Sequence, residues 1–110
     1  MKKDYRIYLK DILEAIEKIE EFIQDLNYKN FCQDDKTSSA VIRKLEIIGE
    51  ASKNIPPKIR DKFAEIPWKE MAGMRDRLIH FYMGVDYELI WDAIKVKIPS
   101  IKKILKKFLD

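Results

Sequence analysis

A chain of 110 residues supports one hydrophobic core, and 46% apolar and 37% charged residues with only three Gly and four Pro describe a single helix-rich domain over 1–110. This composition excludes a disordered or β-rich protein. A net charge of +3 is too small to mark a nucleic-acid binder, the lone Cys32 excludes an intrachain disulfide or a paired-cysteine zinc site, and no apolar run approaches the ~18 residues of a membrane span.

Met1-Lys2-Lys3 leads into charged sequence rather than a signal-peptide core, so the expected location is cytoplasmic, without membrane attachment. Tyr5, Leu9, Ile12, Ile16, Ile19, Ile23 and Leu26 then alternate steps of four and three, the seam spacing of a helix packed nearly parallel to a partner helix. A first helix is predicted from Asp4 to Asn27. Leu13 and Phe22 widen its apolar stripe while Glu14, Glu17, Glu21 and Asp25 line the other side, which places it in a bundle.

Asn27 to Lys36 reads as a loop. Asp34, Asp35 and Thr37 offer capping oxygens before Ala40, Val41, Leu45, Ile48 and Ala51, predicting a second helix that ends near Lys53, ahead of Ile55-Pro56-Pro57. Pro57 suits the first turn of a short third helix through Phe63, and Pro67 interrupts the chain before Trp68.

Met71, Met74, Leu78 and Phe81 form the core stripe of a predicted fourth helix ending around Met83-Gly84. Asp86 is the N-cap of a last segment whose apolar positions are Leu89, Ile90, Ala93, Ile94, Ile98, Ile101, Leu105 and Phe108, and Pro99 must kink or split it. The fold class is therefore all-α, an antiparallel bundle of four to five helices. No internal repeat or Gly-rich phosphate loop is present, which sets aside Walker-type and dinucleotide-binding chemistry.

Charge is unevenly distributed. Six acids between Asp11 and Asp25 face only Lys18, whereas Lys95, Lys97, Lys102, Lys103, Lys106 and Lys107 face only Asp110. The lysine-rich end reads either as a solvated face or as an attractor of phosphate backbones or an acidic partner.

The fourth predicted helix carries Arg75-Asp76-Arg77-Leu78-Ile79-His80-Phe81-Tyr82, which contains the single histidine. On a continuous helix Asp76 and His80 lie one turn and about 40° apart, so the carboxylate can orient the imidazole and favour its protonated form. Arg75 and Tyr82 fall within about 20° of each other, but Arg75 and His80 are about 140° apart and form no flat patch. Arginine and histidine without a metal cluster suit cleavage of RNA by its own 2′-hydroxyl, in which histidine moves the proton and arginine stabilises the phosphorane-like transition state. Acid and base roles need two groups, and one histidine per chain therefore points to a homodimer with a composite cleft. A structural role for His80 stays open at this level.

Gly49 reads as a close helix-helix packing point. Glu50 reads as a surface or interface salt bridge, with a contact to Arg75 as the alternative. Trp68 and Trp91 are expected to anchor the core or a dimer interface, Met71 and Met74 to fill the core, Arg77 to be a surface charge or phosphate contact, and Cys32 to be inert.

Arg75-x4-His80-x-Tyr82, preceded by Trp68 and Gly73-Met74 and followed by Val85-Asp86-Tyr87 and Ile90-Trp91, resembles the signature of the HepT-like toxins of the HEPN superfamily. Ile47-Ile48-Gly49-Glu50-Ala51 is similar to the same family's pattern, so the resemblance covers nearly the whole chain. It implies an α-helical, homodimeric, metal-independent and cofactor-free ribonuclease acting on mRNA or tRNA. It also implies that a minimal nucleotidyltransferase antitoxin is the partner. On this resemblance Arg75 and His80 match the catalytic pair, Asp76 takes the polar position that orients His80, and Tyr82 is the residue adenylylated by the antitoxin. The competing expectations are a non-catalytic helical partner that helps the nucleotidyltransferase select its substrate, and a purely structural dimeric bundle.

Overall fold

The computed structural model describes residues 4–80 and 84–109, with the His80 side chain left out of the description. The first helix, α1 (Tyr5–Ile23), is started by the Asp4 carboxylate, which accepts from the Arg6 amide at 3.0 Å. Its buried stripe is Leu9, Ile12, Ala15, Ile16, Ile19 and Ile23. The helix stops four residues short of the predicted Asn27, and Leu26 continues the packing as a partly buried residue beyond it.

The predicted loop from Asn27 to Lys36 contains a further helix, α2 (Tyr28–Gln33). Asn27 caps it by accepting from the Asn30 amide at 2.8 Å, and fully buried Phe31 holds it against Tyr87 and Trp91, with ring centroids 6.1 and 5.1 Å away. Tyr28 adds a second ring contact to Trp91 at 6.0 Å, and a helix of six residues shows no periodicity to read.

The long helix α3 (Asp35–Lys53) matches its prediction. Asp34 accepts from the Thr37 amide at 3.0 Å and from the Thr37 hydroxyl at 2.7 Å, which holds the Asp34 carboxyl below its usual value. After the proline break α4 (Pro57–Lys62) turns Arg60 back onto the end of α3, where its guanidinium donates to the carbonyls of Ser52 at 2.9 Å and Ile55 at 3.0 Å. Carbonyls left over at the helix terminus are thereby satisfied by a cation.

The predicted fourth helix is corrected. It divides at Gly73 into α5 (Trp68–Ala72) and α6 (Met74–Leu78), after which the chain extends as β1 (Ile79–His80) and returns as β2 (Gly84–Val85). The two strands pair antiparallel, Ile79 opposite Val85 and His80 opposite Gly84. Ile79 is extended at φ −121° and ψ 120°, Gly84 is left-handed at φ 84°, and the β-branched Ile79 and Val85 favour the ladder over another helical turn. Phe81 and Met83, placed by the prediction at the helix end, lie outside the described residues.

Asp86 caps α7 (Tyr87–Asp92) by accepting from the Leu89 amide at 3.2 Å. A π-helical segment, Ala93–Lys97, then leads into α8 (Ile98–Leu109), with the Ile98 amide donating to the Ala93 carbonyl. Pro99 does not break the helix. It has no amide to offer, and the wider π turn before it absorbs the missing hydrogen bond. The same turn takes up the roughly 80° by which the eight residues from Ile90 to Ile98 overshoot the α-helical period, leaving both buried.

These elements enclose one core. α8 runs antiparallel to α1: Tyr5 stacks on Phe108 at 6.4 Å, while Glu20 meets Lys102 at 2.6 Å. The Glu20 hydrogen bond raises the Lys102 ammonium above its usual value and commits one lysine of the basic end to an internal tie. The architecture is an all-α helical bundle.

Candidate active site

Arg75 and Asp76 sit in the first turn of α6, directly after the Gly73 break. They line a groove of about 200 Å³ together with Ala72 and with Glu46, Gly49, Glu50 and Lys53 of α3. Gly49 makes this groove possible. A Cβ at that position would stand 3.2 Å from the Met71 carbonyl oxygen and 3.4 Å from that of Ala72, so glycine lets α5 lie directly on α3 and brings the Arg75 segment alongside.

Within the groove Arg75 Nε lies 3.2 Å from Glu46 Oε1. Glu46 Oε2 in turn lies 3.6 Å from Arg43 Nη1, and Glu50 pairs with Lys53 at 3.4 Å. The ion pair expected for Glu50 is thus found on its own helix, and the carboxylate that reaches Arg75 belongs to Glu46. Sequence reasoning passed over Glu46. Its only signal was its spacing from Arg43, Glu50 and Lys53, which puts all four on one face of α3.

The Arg75 side chain is 56% exposed, so its charge is open to a polyanion. Asp76 is exposed as well. The helical spacing that predicted an Asp76-His80 pair does not hold, because α6 ends at Leu78 and His80 stands on β1. The 140° offset of Arg75 and His80 expected for a continuous helix lapses with it. The ladder to Gly84 sets the His80 backbone instead. Tyr82 lies outside the described residues.

Other expectations fare well. Trp68, Met71 and Met74 are buried, and the Trp68 indole donates to the Phe63 carbonyl at 3.1 Å. Trp91 is half-buried beneath Lys95, whose ammonium lies 5.2 Å from the ring centroid. Arg77 is an exposed charge 3.7 Å from Glu70. Among the described residues no group of three or more His, Cys, Asp or Glu is arranged to hold a metal ion, and no helix is long and apolar enough to cross a membrane.

A family model described as ribonuclease HepT-like matches residues 12–108. The chain is 54% identical over 107 residues to a protein of Thermococcus cleftensis named as a probable ribonuclease HepT, covering 97% of both. It is 50% identical over 104 residues to a protein of Methanocaldococcus jannaschii, covering 94% of this chain and 86% of the relative. To a protein of Caldanaerobacter subterraneus it is 45% identical over 108 residues, covering 98% and 96%. Both of these relatives are named as putative RNases. No solved structure matches.

Proposed function

The chain belongs to the HepT-like ribonuclease family, and on that premise we propose that it is a metal-independent endoribonuclease and the toxin of a toxin-antitoxin pair. The observation that carries this reading is Arg75, the first residue of the Arg75-x4-His80 motif, standing more than half exposed at the rim of the α3-α6 groove.

The chemistry uses the substrate's own nucleophile. His80 takes the proton from a ribose 2′-hydroxyl, whose oxygen attacks the adjacent phosphorus while the bond to the 5′-oxygen breaks. Arg75 stabilises the extra charge on the phosphorane-like transition state. The departing 5′-oxygen receives a proton from the His80 of a second copy, so two chains complete one cleft. The products are a 2′,3′-cyclic phosphate and a 5′-hydroxyl end. Asp76 supports the site from the groove wall.

Tyr82 is the control point. Adenylylation by a minimal nucleotidyltransferase places a phosphate charge and a nucleoside two residues from His80, repelling the RNA phosphate and filling the cleft. The test is incubation of the purified protein with mRNA and tRNA in EDTA, with the new termini identified chemically. Cyclic phosphate ends support the reading. Intact RNA at every enzyme level overturns it in favour of a non-catalytic partner of the nucleotidyltransferase.

A further inference from the structure

Glu46 lies twenty-nine residues before Arg75 in sequence, on a different helix, yet it is the group that meets the Arg75 guanidinium. Its side chain is 30% exposed, against 56% for Arg75 and 69% for Arg43, so the carboxylate is the anchored member of the trio. Each of its oxygens faces one arginine: Oε1 faces Arg75 at 3.2 Å and Oε2 faces Arg43 at 3.6 Å. Glu50, on the same face of α3, is engaged by Lys53.

The contact to Arg75 is made at Nε. A guanidinium is planar and rigid, so an ion pair with a carboxylate from a second helix limits the positions its remaining N–H donors can take. Among the described residues Glu46 is the ion-pair partner of Arg75, whose side chain stays 56% exposed. Two parallel N–H donors on a fixed plane match two oxygens of a phosphoryl group. The carboxylate also offsets part of the arginine charge, which weakens attraction for a ground-state phosphodiester. The dianionic transition state depends more on donor placement, and that placement is retained.

We propose that Glu46 is a positioning residue for Arg75, holding its guanidinium at the groove through their ion pair so that its remaining N–H donors are placed for the scissile phosphate. This inference rests on Arg75 acting in RNA cleavage. Glu46 itself touches no substrate and acts only through Arg75.

The experiment is a cycle of Glu46→Gln, Arg75→Ala and the double variant, with kcat and KM measured on one RNA at a temperature where circular dichroism shows all three folded. Glu46→Gln keeps the side chain's shape and removes its charge. It is expected to lower kcat on the order of 10- to 100-fold, the effect of a misplaced catalytic group. KM should stay level or fall, since the arginine regains charge. In the Arg75→Ala background the same change should have no further effect. Wild-type kcat in Glu46→Gln, or a multiplicative loss in the double variant, overturns the positioning role while Arg75 keeps its place in the reaction. Wild-type cleavage by Arg75→Ala overturns the ribonuclease reading of Arg75 and the inference with it.

Discussion

The Asp86 amide donates to the Leu78 carbonyl at 2.9 Å, joining the last residue of α6 to the N-cap of α7. This bond closes the chain around the segment that contains His80 and Tyr82, and the ladder of Ile79 with Val85 and His80 with Gly84 lies just inside it. The histidine of the motif is therefore carried by a tied-off return of the chain. Its position depends on Gly84 as well as on the helix that precedes it.

Gly84 adopts φ 84°, where a side chain is strained even though a Cβ there would meet no atom within 4 Å. Gly84→Ala should cost about 1–2 kcal/mol, read as a fall in melting temperature of roughly 4–8 °C. RNA cleavage should fall by more than the folded fraction does, because the strain sits opposite His80 in the ladder. An unchanged melting temperature would show that position 84 does not need glycine.

Gly49→Ala sets two effects against each other. Alanine gains about 1 kcal/mol of helix propensity, but its Cβ must displace backbone carbonyls 3.2 and 3.4 Å away, an overpacking cost of about 1–3 kcal/mol. Backbone yields less readily than a side-chain tip, so the variant should be less stable than the parent by thermal melting. Pushing α5 off α3 also moves the groove wall that bears Arg75, and cleavage should drop severalfold in protein that is still folded.

Asp34 links acid sensitivity to a helix cap. Its hydrogen bonds with Thr37 depress the folded-state value below the usual 3.8, so its contribution to stability is present above that pH and is lost as pH falls through the lower folded value. Asp34→Ala should melt at a lower temperature than wild type at pH 7. The gap should narrow as pH drops below 3.8. A gap that is constant across this range would contradict the assignment.

The proposed cleft, which takes a histidine from each of two copies, is checked by mixing chains. Excess His80→Ala chain, exchanged with wild type, should suppress wild-type cleavage, because mixed dimers retain one histidine. Activity that merely tracks the amount of wild-type chain would place a complete site within each copy.

Much of this fold was legible in the sequence because long helices advertise themselves. The seam of α1 and the caps Asp34 and Asp86 depend on local spacing and local hydrogen bonds, and Gly49 was identified by the cost of glycine inside a helix. The stretch after Leu78 was misread because apolar residues such as Ile79 suit either a helix or a strand. Pairing with Val85 and the bond from Asp86 to Leu78 decide between them, and both are tertiary. Glu46 was missed for a similar reason. An acid on a charged helix face gives no local sign that an arginine from another helix will meet it. Arg75 was legible from its place near the single histidine and from motif resemblance, while the groove around it required the packing of α5 on α3.

The most direct test places wild type, Arg75→Ala and His80→Ala side by side on the same RNA in EDTA, with folding verified by circular dichroism. Each substitution should reduce the cleavage rate at least about 100-fold, the scale of losing a transition-state donor or a general acid-base group. Wild-type rates in both variants would contradict the assignment of this site.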